Sequence, residues 1–289
     1  MIMSKPTVTK ADILAGLRQL GLAGGEVVMV HSSLSRFGLV VGGAQTVISA
    51  LREAIGPEGT LVMSAITITP TFTEAHVRAG LAGRVNHECP EVFDVRKTPT
   101  WAGAIPETFR TTPGVVRSWH PTHSVAALGP MAEELTADHH LKPSCGLDSP
   151  YERITRLEAG RTLLLGVSHE SNTTMHTFEE LTGHEYMLHP FLCRIPFRSP
   201  RGDELAVTTL HRWHIPRELG RLESRYIDAG AQTVTRIGSA PVRLCSAKGL
   251  REITLEALKR DPFALCTPAG RLAWDTMKAT GNLIDPPVL

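Results

Sequence analysis

Residues 163–176 read Leu163-Leu164-Leu165-Gly166-Val167-Ser168-His169-Glu170-Ser171-Asn172-Thr173-Thr174-Met175-His176. The short apolar run is the pattern of a buried strand, and the hydroxyl-rich segment behind it is the pattern of a helix start. In open α/β sheets ligands bind beyond the carboxyl ends of strands, so a catalytic imidazole belongs at such a junction. Asn172 or Thr173 is expected to cap the helix, which puts His176 in its first turns and Glu179 and Glu180 one turn on. Positions 176, 179 and 180 then share a helical face. A base beside carboxylates suits a cationic substrate; a capped surface helix with solvated side chains explains the spacing equally well.

Working outward, the chain alternates helix and strand. Lys10 to Leu20 has helical periodicity behind Thr9, with Ile13, Leu14, Leu17 and Leu20 on one face. Val27 to Val30 is a compact strand ending in His31-Ser32-Ser33-Leu34, and Ala44 to Ile55 is a second helix. The turn Gly56-Pro57-Glu58-Gly59 leads into the strand Thr60 to Met63. This order predicts an α/β fold with a mixed, largely parallel central sheet flanked by helices. Short helices are expected at Ile105–Phe109, Ala132–Thr136 and Tyr151–Glu158, with a strand at Val125–Leu128. Residues 64–100 are irregular and proline-interrupted, as binding loops often are. Beyond Pro190, strands at 191–198 and 205–210 pair around Arg201-Gly202-Asp203, and helices at 216–229 and 249–259 enclose a strand near 241–245. The expected organisation is one domain over 1–289, with a core at 10–190 and an antiparallel and helical part at 191–265.

The 289 residues carry a formal net charge of +1, from 30 basic and 29 acidic side chains, so no bulk field favours nucleic acid or a membrane. No apolar run approaches the ~18 residues of a membrane span, and no signal-peptide pattern opens the chain, which makes the cytoplasm the expected location. The five cysteines lack any CxxC pairing and are expected to be reduced thiols.

Three motifs bear on chemistry. His31-Ser32-Ser33 combines hydroxyls, backbone N–H groups and a following helix N-terminus, a place for phosphate or pyrophosphate, although neither a Walker A pattern nor GxGxxG is present. A strand-end turn capped by serines is the plainer reading. His120-Pro121-Thr122-His123-Ser124 sets two imidazoles three apart, and His211 with His214 repeats that spacing. Zinc normally needs a third protein ligand in a fixed place, and a chain with 13 histidines yields such pairs by chance, so no metal is expected. Cys145, in Pro143-Ser144-Cys145-Gly146, has no local activating partner.

The ordered series Val30-His31-Ser32-Ser33-Leu34, Val41-Gly42-Gly43-Ala44-Gln45-Thr46-Val47, Gly56 to Met63, Gly103-Ala104-Ile105-Pro106-Glu107, Pro113 to Ser118, His120 to Ser124 and Gly166 to His176 resembles the aminoglycoside 3-N-acetyltransferase family. The likeness runs over residues 10–180 and more weakly to 263. It implies an acetyl-CoA-dependent N-acetyltransferase outside the common GNAT fold, passing acetyl directly to an amine, usually the 3-amino group of 2-deoxystreptamine. By position, His176 matches the catalytic histidine of the family's Thr-x-x-His motif. His31, Ser32, Ser33 and Leu34 match the strand-end motif lining the CoA cleft, and Val41-Gly42-Gly43 with His120, His123 and Ser124 match the rest of the cofactor-side wall.

Histidine suits deprotonation of an ammonium near neutral pH, and the thioester oxygen, which gains charge, calls for donors such as backbone N–H groups, a hydroxyl or His31, with Thr173 and Thr174 as candidate donors or orienters for His176. Glu170, Glu179 and Glu180 are the expected acids for a cationic amine, and the partners are a CoA thioester and a small amine, bound by a monomer or homodimer. Departures from the family pattern are Ser64-Ala65-Ile66-Thr67-Ile68-Thr69-Pro70 where polar and acidic residues are common, Glu170 where Asp is usual, and Leu210-His211-Arg212-Trp213-His214 where acids are often supplied. No acid orienting His176 is evident. Alternatives are an acyltransferase for another amine, a metal-dependent hydrolase, or a non-catalytic CoA- or drug-binding protein.

Overall fold

Strand β2 (Val27–Ser32) is buried on both faces over its first five residues, as a strand between parallel neighbours must be. The computed structural model describes residues 6–280 except 68–86, 89–91, 142, 187, 199–201, 203 and 213–214, with no side chains for 87–88, 188–195 or 204–212. The N-terminal strand β1 (Thr7–Val8) pairs in parallel with β3 (Leu39–Val40), and helix α1 (Lys10–Gln19) lies between β1 and β2 in the chain. Thr9 caps α1 in a reciprocal box with Asp12, so the N–H groups of both Thr9 and Asp12 are satisfied.

Helix α2 (Gly43–Ile55) connects β2 to β4 (Thr60–Ser64), and the two strands pair in parallel from Val27↔Thr60 to Val30↔Met63. On the other side β2 pairs in parallel with β9 (Gly160–Leu165), from Val27↔Gly160 to Ser32↔Leu165. The remaining strands of this sheet are β7 (Val116–Arg117), β8 (Val125–Leu128), β12 (Gln232–Ile237) and β13 (Ala240–Ser246). The order is β12-β13-β9-β2-β4-β8-β7, mixed as expected, with parallel pairing confined to β9, β2 and β4.

Strand alternation sorts the core into layers. Val28, Val30, Leu61, Met63, Leu163 and Leu165 join Ile13, Leu17, Val47, Ile48 and Leu51 on the α1/α2 face. Val27, Met29 and Val62 face the other way, with Tyr151 and Ile154 of α5 (Pro150–Arg156) and Ala247 of α8 (Ala247–Arg260). Helix α6 (Thr174–Thr182) contributes Met175 and Phe178 to a third cluster with Tyr226, Leu250 and Leu258. Helices α3 (Ala104–Arg110) and α4 (Ala132–Thr136) match their expected positions within a residue. No described helix is long and apolar enough to cross a membrane.

A smaller sheet pairs β10 (Leu188–Arg198) antiparallel with β11 (Glu204–Arg212), in register from Phe197↔Leu205, and β5 (His87–Glu88) and β6 (Phe93–Asp94) run parallel to β10. The expected helix at 216–229 shrinks to α7 (Glu223–Asp228). Pro216 and Gly220 interrupt it, and Arg217 instead forms an antiparallel bridge with Cys266. The longer elements not foreseen are β12 and the helix α9 (Pro268–Thr280), and the short strands β1, β3, β5, β6 and β7 were not foreseen either. The tail expected to fray at 285–287 lies outside the described residues.

Candidate active site

The loops after β2 and β9 leave the sheet side by side, at the point where the chain's connections diverge to either side of β2. Such switch points open a crevice at the carboxyl ends of the strands. A cleft of about 1150 Å³ occupies this place, lined by Ser32, Ser33, Leu34 and Arg36 from one loop, Gly166, Val167 and Ser168 from the other, Gly43 at the start of α2, and Arg243. Ser32 points to the α2 face of β2, and its buried Oγ has no hydrogen-bond partner among the described residues. Gly166, at φ +71, turns the chain out of β9, and a Cβ there would lie 2.7 Å from the Arg36 Cβ. Only glycine allows the two loops this approach.

Of the residues expected on the cofactor side, Ser32, Ser33, Leu34 and Gly43 line the cleft. Val41 and Gly42 flank it without lining it, Val41 being exposed and Gly42 holding a left-handed turn before α2. His31 does not line it, because neighbouring residues of a strand face opposite ways and His31 shares the α5/α8 face with Val27 and Met29. His120, His123 and Ser124 are also outside it. His120 Nδ1 accepts the N–H groups of Thr122 and His123 (3.1 and 2.9 Å), pinning its own turn. Ser124 donates to the Ala65 carbonyl (2.8 Å). The cleft's arginines, Arg36 and Arg243, were missed; Arg36, which follows the hydroxyl run directly, was the readable one.

His176 stands in the first turn of α6, 22% of its side chain exposed, and donates from Nδ1 to Glu179 Oε2 (2.7 Å). Glu179 is fully buried, and its Oε1 accepts from Arg217 Nε (2.9 Å). Burial alone would raise the Glu179 carboxyl, but the Arg217 guanidinium and the bond from His176 bring it down to about 2. Asn172 Oδ1, not the Thr173 hydroxyl, caps the helix by accepting from Thr174 N (3.2 Å), while the Thr173 carbonyl accepts from His176 N (3.0 Å). The Thr174 hydroxyl is buried with no hydrogen-bond partner among the described residues.

Two expected substrate acids must be reassigned. Glu179 is enclosed by His176 and Arg217, and Glu180 is buried and accepts the Cys145 N–H (2.8 Å), so neither offers an open carboxylate. Glu170 is exposed and accepts from Gly220 N (3.0 Å). The segment at 64–70 lies partly, and His214 wholly, outside the described residues, as does the side chain of His211. Among the described residues no three His, Cys, Asp or Glu side chains gather in a metal-binding group. Cys145, Cys245 and Cys266 are buried and form no disulfide among the described residues.

Three further histidines are buried. His31, 5% exposed, is pushed down to about 3 by burial and then by His169, and its Nε2 is unpartnered among the described residues. His139 is lowered to about 4, chiefly by burial, with Nε2 donating to the Ser144 carbonyl (2.7 Å). Burial also lowers His169, which is held between Gln232 Oε1 (2.8 Å) and the Asn172 side-chain amide (3.2 Å). His31 and His139 stay neutral in the fold well below pH 6.5, His169 is shifted in the same direction, and all three titrate near the ordinary 6.5 when unfolded. Between pH 6.5 and about 4 the unfolded chain therefore binds more protons, and stability falls as pH falls, by at most about 1.4 kcal/mol per pH unit for each histidine. The urea midpoint is expected to drop between pH 7 and pH 5, above the range in which carboxylates titrate. A flat midpoint over that interval refutes the burial of neutral histidines.

A family model for aminoglycoside 3-N-acetyltransferase matches residues 29–259. Aminoglycoside N(3)-acetyltransferase III of Acinetobacter baumannii is 39% identical over 173 residues, 59% of this chain and 60% of the relative's own length. The matched part of the chain thus spans about three-fifths of that relative. Aminoglycoside N(3)-acetyltransferase IV of a Salmonella species is 31% identical over 268 residues, 90% of either chain. The solved structure of the AAC-IIIb binary complex with CoASH superposes with a TM-score of 0.76 at 28% identity, covering 91% of this chain and 99% of that one. With the family model spanning most of its length, the chain belongs to the aminoglycoside 3-N-acetyltransferase family.

Proposed function

We propose that the protein transfers acetyl from acetyl-CoA to an amine, the 3-amino group of an aminoglycoside's 2-deoxystreptamine ring, with His176 as general base. The observation that carries this reading is the fixed imidazole of His176. Glu179 accepts a hydrogen bond from Nδ1–H, which fixes the tautomer with Nε2 as the lone-pair nitrogen able to accept a proton from an ammonium. Membership of the family and the names of its relatives supply the substrate class.

The cleft at the β2 and β9 ends suits a CoA thioester. Its volume is at or above the roughly 300–1,000 Å³ of small-molecule clefts. Ser32 brings an unpartnered buried hydroxyl, Gly43 begins a helix whose N-terminus favours anions, and Arg36 adds positive charge suited to phosphates, while Arg243 lines the same wall paired with Glu223. When bound, the thioester supplies an acyl group activated toward attack by nitrogen. The chain's own residues then have separate tasks: the cleft holds the donor, His176 takes the proton, and Glu179 keeps the imidazole turned.

Release of free thiol from acetyl-CoA in the presence of an aminoglycoside panel tests this directly. Turnover is expected, and failure to bind acetyl-CoA by calorimetry defeats the reading. Gly166→Ala is expected to weaken acetyl-CoA binding about tenfold, since its methyl would press on Arg36 from a backbone that resists a side chain. Calorimetry with unchanged affinity would remove the cleft as the donor site.

A second reading, transfer to a different amine, draws on the enclosure of Glu179 and Glu180, which leaves Glu170 as the one open acid among the three expected. Turnover of small amines but of no aminoglycoside would select it. The His120 and His123 pair lends a metal-dependent hydrolase no support, because His120 Nδ1 is occupied by backbone N–H groups.

A further inference from the structure

We infer that Arg217 is a positioning residue of the proton-transfer site, which reaches in from the C-terminal part to hold Glu179 against His176 and to set how readily His176 gives up its proton. This rests on the reading of His176 as the base. Three of its features are structural. The guanidinium sits at the far end of the Glu179 carboxylate, so that one oxygen serves His176 (2.7 Å) and the other Arg217 (2.9 Å). The Arg217 side chain is only 11% exposed, so water screens this charge little. And its backbone is anchored from several sides: Arg217 bridges Cys266, Glu218 N donates to the Leu265 carbonyl (2.9 Å), and Thr267 N donates to the Pro216 carbonyl (3.2 Å). Gly270 of α9 lies flush beneath, where a Cβ would fall 2.1 Å from the Pro216 oxygen. A residue this well fixed, 38 positions from its partner, does more than solvate a surface acid.

Physical chemistry gives the arginine a definite task. A carboxylate alone beside His176 would stabilise the imidazolium and make it a reluctant base. A buried carboxylate alone would also tend to take up a proton and stop accepting from Nδ1. A cation on the opposite oxygen counters both: it keeps Glu179 ionised and offsets part of the negative charge that His176 feels. Among the described residues, Tyr186 and Cys266 are further titratable groups coupled to Glu179. Burial, reinforced by Glu179, raises Tyr186 above its usual range, and burial pushes the Cys266 thiol up to about 11, so both are neutral at working pH. Glu180, next along α6, turns to the Cys145 N–H instead. Among the described residues Arg217 is therefore the permanent charge that balances the His176–Glu179 pair.

The test combines Arg217→Met, Arg217→Lys and NMR titration of the full-length protein with ring-labelled histidine. The His176 resonance is identified by its loss in His176→Gln. In Arg217→Met the His176 midpoint is expected to move up by about one pH unit. With it, kcat/KM should fall about tenfold near pH 6 and recover to within about twofold of wild type near pH 9. Arg217→Lys, which keeps the charge, should bring the midpoint most of the way back, and it carries the test if Arg217→Met does not fold. An unmoved midpoint, or a rate loss of the same factor at every pH, overturns the inference and reduces Arg217 to packing. Should the wild-type protein acetylate no amine at all, the functional reading fails while the NMR midpoints still decide the role of Arg217.

Discussion

His176→Ala is expected to lower kcat by roughly 10²–10⁴-fold while leaving acetyl-CoA affinity nearly unchanged. The loss follows from the site's geometry: with Nδ1–H bonded to Glu179, Nε2 carries the lone pair that takes a proton, and alanine has no substitute for it. Affinity is spared because His176 is not among the residues that line the cleft proposed to hold the donor. The fold is spared because the buried Glu179 keeps its bond to Arg217 (2.9 Å) and is not left as an isolated charge. Wild-type rates should rise with pH through one ionisation, and this limb should vanish with the imidazole. His31→Ala should keep the limb, since His31 lies on the other face of the sheet from the cleft and does not change its proton across the working range. Stopped assays of both variants across pH 5–9, with unfolding curves alongside, separate the roles. A folded His176→Ala protein with near wild-type turnover would defeat the assignment of the base.

What was legible in advance follows the range over which each signal acts. The Thr9 cap, the helix–strand alternation and the β10/β11 hairpin rest on neighbours in sequence, and they were readable. The pairing of His176 with Glu179 was half readable: their spacing predicted a shared face, but whether the carboxylate met solvent, substrate or the imidazole depended on what packs over α6. Arg217 supplies that answer from a segment whose sequence resembles an ordinary helix start, and nothing local marks it. The same limit hid β12, whose residues Thr233, Val234, Thr235 and Arg236 are mostly polar because the strand is an edge, stabilised by pairing with β13. The cofactor wall was over-read for a related reason. A motif names residues in a row, whereas a strand sends them to opposite sides, so Ser32 faces the cleft and His31 cannot.

Two substitutions at Glu179 should part stability from catalysis, because the residue serves both. Glu179→Ala removes a fully buried carboxylate and leaves the Arg217 guanidinium, itself 11% exposed, facing an empty space. Breaking a buried pair from one side typically costs about 3–5 kcal/mol, so this variant should unfold at markedly lower urea or temperature. Glu179→Gln keeps the volume, and its amide oxygen can still accept from Arg217, so most of the fold's stability should survive. The amide nitrogen then faces His176 Nδ1 and donates to it, which forces the ring proton onto Nε2. That is the tautomer with no lone pair left for the substrate. The equivalent change in the serine-protease triad costs about 10⁴ in kcat, so a loss of roughly 10²–10⁴ is expected here with acetyl-CoA binding intact. The direction of the acid effect can be checked on the same residue. The folded carboxyl, at about 2, lies below its ordinary 4.5, so the stability it contributes is complete above pH 4.5 and disappears as pH falls toward 2. Glu179→Gln should therefore flatten the wild-type decline in stability between pH 4.5 and 2. If Glu179→Gln retained full turnover, the carboxylate would be no more than a packing group, and His176 would have to find its tautomer without it.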